Sequence, residues 1–369
     1  MAGLPLRNVA QVAAIAVITL AMLLACDFFF GKALFERLLT KNNTYRVVHG
    51  VYHHDFTPDY RTAYANWGPL TYTFCSDGNG FKSSCEQVGA RKTSFDLAFI
   101  GDSFTEAQGQ PYEQSFVGMV AAAAPQLSIA NLGVASYSPA IYRAKLEYLL
   151  AQGYRFDEVV VFIDISDIRN EATLYRYENG IVRSRQPESN IAGIDIEWHA
   201  KLALKHFPML YEGMRNASMI LRGTWNQAPP PQEPVTEQAI SAWTYAAENP
   251  SFGPIGVEGG IDLALAHMTA LHQLLKRHDV PMSIAVYPWP AQLAHDSRNS
   301  RQVRIWREFC LDRCRHFIDL FPLFFDEVEQ SSLTAVLERY YIEGDVHFNA
   351  AGNRLIADRL IPVFAARER

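Results

Sequence analysis

LAFIGDSFT, residues 97–105, is the stretch on which the reading of this chain turns. Four apolar residues bounded by Asp96 and Gly101 have the length of a buried strand, and the polar turn Gly101-Asp102-Ser103 ends it abruptly. A serine is thereby set just past the C-terminal end of a strand. In open α/β sheets that edge is where ligands bind, and the helical stretch Ser115 to Ala124 would aim amide N–H groups back toward it. Gly, Asp and Ser are also the commonest turn residues, so the triplet alone reads equally well as turn chemistry.

Outward from this stretch the pattern repeats. Strand Leu97–Ile100, helix 115–124, strand Leu127–Asn131, helix 139–152 and strand Glu158–Ile163 alternate at the intervals of βαβ units, which predicts a parallel sheet. The run VVVFI is apolar throughout, as a central strand covered on both faces should be. A helical pattern over 261–278 feeds a strand Met282–Tyr287, and a helix Arg301–Cys314 feeds a short strand His316–Leu320. Between these halves, residues 171–260 break the rhythm with a hairpin turn at Asn179-Gly180, helical patches carrying Trp198, His199 and His206, and the Pro-rich stretch from Ala228 to Val235. This reads as a mainly helical insertion, either a cap over the C-terminal edge of the sheet or a partner-binding module.

A second block stands near the C-terminus: Gly344-Asp345-Val346-His347-Phe348-Asn349-Ala350-Ala351-Gly352, ahead of the amphipathic run Asn353 to Phe364. A serine hydroxyl is a poor nucleophile until a base takes its proton. His347 can be that base, with Asp345 holding its tautomer; in an extended loop residues i and i+2 project to the same side, which would bring the two together. His199, His206, His267, His272, His295 and His316 have no acid at comparable spacing and read as structural or surface residues.

Together the two blocks resemble the SGNH, or GDSL-type, hydrolase family, over roughly residues 95–167 and 280–365. The resemblance implies a three-layer α/β/α, flavodoxin-like fold with Ser103 as nucleophile, His347 as base and Asp345 as its orienter. It also implies an oxyanion hole. Ser103 N–H is its first donor; the family's hole-forming glycine matches Ser136, five after Asn131, where any residue but proline supplies an N–H, and Gly133 is the neighbouring alternative. Where the family has Gly-x-Asn-Asp, this chain reads Asp164-Ile165-Ser166-Asp167, so Ser166 stands where an amide side chain donates. Asp102, Asp164 and Asp167 are candidates for binding a sugar hydroxyl, the last two equally for capping a helix. Most of the family spaces its pair Asp-x-x-His; the shorter Asp-x-His spacing here is similar to the alginate acetylation branch and tilts the reading toward envelope polysaccharides. The expected activity is removal of small acyl, above all O-acetyl, groups from a carbohydrate. The same triad with a sugar hydroxyl in place of water makes an O-acetyltransferase, and the altered third block also admits a non-catalytic carbohydrate-binding or scaffold protein. No metal or organic cofactor is implied.

The remaining features set the compartment. Residues 8–26, NVAQVAAIAVITLAMLLAC, carry no charge, and at about 1.5 Å per residue they are long enough to cross a bilayer. This is a signal-anchor or signal peptide. Arg7 opposes Lys32, Arg37 and Lys41, so the flanks leave orientation open. Leu23-Leu24-Ala25-Cys26 resembles a lipoprotein cleavage box, but Leu24 fits it poorly and the apolar run continues past Cys26, which favours an uncleaved anchor. Cys75 with Cys85 and Cys310 with Cys314 suit two local disulfides in an oxidising compartment, with buried thiols as the alternative; the second pair, four apart on one helix, looks strained as a bridge. The expected location is a bacterial inner membrane, single-pass, with the catalytic domain on the periplasmic face and envelope polysaccharide-modification proteins as partners. A net charge of −6 and no basic run set nucleic acid aside. The expected organisation is an anchor (1–31), an irregular lead-in (32–94) in which His53 and His54 read as solvated surface or loop packing rather than metal ligands, the α/β domain (95–170), the insertion (171–260) and the rest of the domain (261–369).

Overall fold

The computed structural model describes residues 6–31, 45–185, 207, 209–210, 213–214, 236–246 and 252–365. The chain divides into two compact units, Met1–Asn42 with Glu188–Pro234, and Asn43–Pro187 with Val235–Arg369. In the first unit, Leu6–Cys26 is an α-helix that runs into a wider π-helical turn at Asp27–Gly31. The stretch Ala14–Gly31 is long and apolar enough to cross a membrane, with a mean hydropathy of 2.2. Asp27 is not left as an isolated charge: its two oxygens accept the Met209 and Leu210 N–H groups at 3.1 and 2.8 Å. Trp198, His199, His206 and the Pro-rich stretch lie outside the described residues, and with them most of the expected insertion.

The second unit is built on five parallel strands. From one edge to the other they are Cys314–Asp319, Met282–Val286, Val159–Ile163, Leu97–Ile100 and Ile129–Asn131. Counted along the chain this is the order 2-1-3-4-5, the flavodoxin-like arrangement, with a switch point between the first and third strands. All of Leu97–Ile100, Val159–Ile163 and Met282–Val286 is buried, as the apolar runs require. On one face Phe99, Phe116, Phe162 and Phe364 interlock, the Phe116 and Phe162 rings stacking at 4.5 Å, which docks the helices Phe116–Ala123 and Ala350–Phe364. The helices Pro139–Ala151, Ser166–Thr173 and Gly256–Arg277 pack on one another. Each fully buried aliphatic or aromatic side chain contributes about 1.5–3 kcal/mol, so this burial is the main source of the unit's stability.

Several boundaries differ from the sequence reading. The long helix begins at Gly256, not 261, because Gly256, Gly259 and Gly260 look like loop residues in sequence; Gly260 is needed there, since a Cβ would lie 2.5 Å from the Ile168 carbonyl oxygen of the neighbouring helix. The next helix stops at Cys310 and the last strand opens at Cys314, so these cysteines do not share a helix. Both pairs are disulfides, with Cα–Cα distances of 5.1 Å for Cys75–Cys85 and 4.8 Å for Cys310–Cys314. Cys26 is free and exposed.

The larger correction concerns the lead-in. Its described part, from Tyr45, opens with two antiparallel hairpins, Arg46–His49 with His53–Phe56 and Arg61–Trp67 with Leu70–Cys75. Their aromatic residues bury against one another, Tyr45 stacking on Phe74 at 4.0 Å. The completely buried Lys145, on a helix of the α/β core, pairs with Asp55 at 2.9 Å and donates to the Leu132 carbonyl, which ties the first hairpin to the sheet. Residues 175–184 likewise form a hairpin turning at Asn179-Gly180, both with positive φ. It belongs to this unit too, with Val182 N–H bonded to the Val51 carbonyl.

Candidate active site

Ser103 opens a one-turn helix directly after the first strand, at the switch point of the sheet. Asp102 caps that turn, its Oδ1 accepting the Phe104 N–H at 3.0 Å. Gly101 is required by close approach: a Cβ there would fall 2.2 Å from Thr105 Oγ1 and 2.9 Å from the Phe162 carbonyl oxygen. The turn is thus pressed against the sheet edge, and the serine hydroxyl has little freedom.

The distant C-terminal block meets it. Ser103 Oγ lies 2.7 Å from His347 Nε2, and His347 Nδ1 lies 2.5 Å from Asp345 Oδ1. The serine is half-buried and His347 is 7% exposed, so base and nucleophile are shielded without being sealed. The loop is not extended, as the sequence reading supposed. Asp345 Oδ1 also accepts the backbone N–H of His347 at 2.9 Å, and the Asp345 N–H bonds the Ile342 carbonyl, so the acid reaches the imidazole through a tight Asx-type turn. The ends of the loop are pinned by Ile342 N–H to the His347 carbonyl and by Asn349, whose Oδ1 caps the terminal helix through the Ala351 and Gly352 N–H groups.

Asp345 has a further partner that the sequence did not disclose: Trp67 Nε1 donates to its Oδ2 at 2.8 Å, from the tip of the second hairpin. Burial would raise the Asp345 pKa; the hydrogen bond and charge of His347, its backbone N–H and the Trp67 indole outweigh burial and hold it below the ordinary carboxylate value. Asp345 is therefore an anion, ready to stabilise an imidazolium.

The expected oxyanion donors divide. As the first residue of its helix, Ser103 has an N–H with no bonded acceptor among the described residues, and the same holds for Ser136. Ser136 is exposed and has φ +64°, the left-handed region that explains why a glycine would suit this position. The peptide that carries its N–H is held at the Ala135 carbonyl, to which His54 Nε2 donates at 2.8 Å, and the preceding peptide is held by Glu106, which accepts the Ala135 N–H at 2.8 Å. Glu106 is buried and held by Arg46 at 2.6 Å, so the first hairpin positions this loop. Burial keeps His54 neutral, with its pKa pushed down to about 3. Gly133 N–H is not available; it bonds Asn131 Oδ1 at 3.0 Å, and the glycine's role is close approach to Thr105. Nor is the Ser166 hydroxyl, which donates to Asp164 Oδ1 at 2.7 Å.

The three acids proposed for substrate are enclosed instead. Asp102, Asp164 and Asp167 are 2%, 0% and 0% exposed. Asp164 accepts Ser166 N–H, Ser166 Oγ–H, Asp167 N–H and Trp289 Nε1–H, and bonds the Asp102 carboxyl. Besides, Asp102 accepts the Phe104 N–H, the Tyr287 hydroxyl and, at 3.5 Å, the Ser103 hydroxyl, a shorter set of donors than that of Asp164. The richer donor set favours the anion on Asp164, and burial followed by the Asp164 charge holds Asp102 protonated, well above its usual pKa. Asp167 is bonded by the Tyr142 hydroxyl at 3.0 Å. Asp164 and Asp167 hold the third loop from within, and Asp102 holds the nucleophile turn. Of the other described histidines, His267 sits 3.6 Å from Glu171 with its pKa pushed down to about 4, chiefly by burial, and His295 packs tilted at 42° against Tyr245.

No protein-family model matches the chain, and no curated protein does. Among solved structures it is similar to Axe2, an acetylxylan esterase from Geobacillus stearothermophilus, at 15% identity and a TM-score of 0.40, over 74% of this chain and 94% of that one. It is similar also to LAE5, an α/β hydrolase from the metagenome of Lake Arreo, at 12% identity and a TM-score of 0.39, over 76% and 98%. A lipolytic protein of the G-D-S-L family from Desulfitobacterium hafniense matches at 12% identity and a TM-score of 0.31, over 74% and 100%.

Proposed function

We propose that this protein is a serine ester hydrolase that removes small acyl groups, O-acetyl foremost, from a carbohydrate of the bacterial cell envelope. The observation that carries the reading is the unbroken line from Ser103 Oγ through the His347 ring to Asp345, at 2.7 and 2.5 Å. The Ser103 oxygen attacks the acyl carbonyl carbon as its proton passes to His347 Nε2, and Asp345 stabilises the imidazolium. The tetrahedral oxyanion is received by the Ser103 and Ser136 N–H groups; loss of one such donor costs about 3–4 kcal/mol in comparable sites. Collapse breaks the bond to the sugar oxygen, which takes the proton from His347 and leaves an acyl-serine. Water, deprotonated by the same imidazole, attacks that ester and releases the acid and free Ser103.

The envelope setting is supported by the N-terminal apolar helix, read as an uncleaved inner-membrane anchor with the catalytic unit periplasmic, and by two disulfides that suit an oxidising compartment. Envelope polysaccharide-modification proteins are the expected partners. The first test is labelling by a fluorophosphonate: wild type should react and Ser103→Ala should not, whereas no reaction in either would leave a non-catalytic fold. The second is turnover of an activated acetyl ester with and without an oligosaccharide acceptor. Release of acetate in both supports the hydrolase, and product that needs the acceptor makes the protein an O-acetyltransferase.

A further inference from the structure

We infer that Trp67 is a positioning residue of the catalytic machinery, supplied to the Ser103–His347–Asp345 line by a hairpin outside the α/β core; the inference rests on the hydrolase reading. Asp345 offers two carboxylate oxygens. Oδ1 is used by the ring and backbone N–H of His347, and Oδ2 takes the Trp67 indole N–H at 2.8 Å. A carboxylate gripped on one oxygen alone can swing about its Cβ–Cγ bond; gripped on both, it holds one orientation, and so does the imidazole it binds.

The indole is itself wedged. Leu70 on the paired strand and Ile342 on the histidine loop crowd the same spot, for a Cβ added at Gly109 would meet Ile342 Cδ1 at 3.0 Å and Leu70 Cδ1 and Trp67 Cδ1 at 3.4 Å. Gly109 has φ +87° and closes the segment that follows the nucleophile turn. Trp67 therefore lies between the segment carrying Ser103 and the loop carrying His347. Its ring also stands edge-on to the imidazole, with centroids 5.2 Å apart, while Phe104 packs against the imidazole at 4.7 Å. The two aromatic rings limit the tilt of His347. The hairpin is in turn pinned where the Leu70–Cys75 strand ends, by the disulfide from Cys75 to Cys85. A strand pair remote in sequence from both catalytic blocks thus sets the geometry of the base.

The test compares wild type with Trp67→Phe, which keeps an aromatic ring and removes the N–H. The rate of fluorophosphonate labelling at Ser103 should fall roughly 10- to 100-fold, the scale for outer partners of a reacting group. KM for an activated acetyl ester should stay within about twofold while kcat falls, since the lost bond holds the base and not the substrate. The acid limb of the pH–rate profile should move to higher pH, because a carboxylate relieved of a donor attracts the imidazolium proton more strongly. A second variant, with benzothienylalanine at position 67, keeps the indole shape without the N–H and covers the case in which phenylalanine fails to fold. Labelling at the wild-type rate with an unmoved acid limb in that variant overturns the inference, as does a rise in KM alone. If wild type itself is not labelled, the hydrolase reading has failed, and the proton resonance of His347 Nδ1 still decides on Trp67: a shift between wild type and variant supports it, an identical resonance removes it.

Discussion

The five-stranded sheet and the pair of hairpins from Tyr45 to Cys75 belong to one compact unit, yet they are written in different languages. The three inner sheet strands are short runs, apolar but for Ser283 and buried along their whole length, and their burial follows from composition. The hairpin strands carry Arg, His, Tyr and Thr, and what they contribute is polar: Trp67 to Asp345, His54 to the Ala135 carbonyl, and Arg46 to Glu106. The sheet brings nucleophile and base to one edge. The hairpins decide how firmly they are held there.

This division can be broken at several points. Ser103→Ala strikes the sheet edge itself, and on the hydrolase reading it should cut kcat roughly 10⁴-fold or more with little change in stability; a residual rate near wild type would move the nucleophile elsewhere. Arg46→Met strikes the hairpin side. It removes the guanidinium paired with the buried Glu106, which should cost about 3 kcal/mol by urea denaturation and loosen the Ser136 loop; an unchanged midpoint would mean that the Ala135 N–H and the nearby Lys82 suffice for Glu106. Replacing Cys75 and Cys85 by serine opens a short loop in the unfolded chain and should lower stability by roughly 2–3 kcal/mol under oxidising conditions, with no difference from wild type once both are reduced.

The buried acid pair gives a smaller, pH-dependent effect. The folded-state pKa of Asp102 is raised above 3.8, so over the window between the two values the folded chain keeps a proton that the unfolded chain has lost, and stability falls as pH rises through it. Asp102→Asn preserves the helix cap and can donate to Asp164 without titrating. Its stability should decline less steeply than wild type as pH rises above 3.8; parallel curves would place the proton on another group. Smallest is Ser136→Gly. Relief of a left-handed φ should stabilise by up to about 1 kcal/mol, and labelling of Ser103 should persist, because only the backbone N–H at 136 is used. A sharp loss of labelling would give the Ser136 hydroxyl a part.

The sequence was least legible where polar residues work through long-range contact. His53 and His54 read as solvated surface or loop packing, and no pattern near Trp67 hints at a carboxylate 278 residues away. The one available signal was Trp67-Gly68-Pro69-Leu70 between alternating residues, a hairpin turn by its chemistry, with Gly68 at φ +54°. The acids at 102, 164 and 167 looked like ligand groups because their types suit sugar hydroxyls; burial, invisible in one dimension, turned them inward. The spacing of Asp345 and His347 was readable, whereas the turn that joins them was not, since an extended loop and an Asx turn both bring i and i+2 together.

By itself the sequence determined the parallel α/β sheet, the apolar N-terminal helix and the pairing of a Ser-bearing block with an Asp-x-His block. Each of these depends on local pattern: apolar periodicity, a strand-ending turn, residue types at short spacing. Only the tertiary structure decided that Ser103 touches His347, that the Gly133 N–H and the Ser166 hydroxyl are already committed, and that Trp67 closes the line behind Asp345. Those outcomes depend on which polar groups find each other once water is excluded, and a buried donor takes whatever acceptor the fold places within about 3 Å of it.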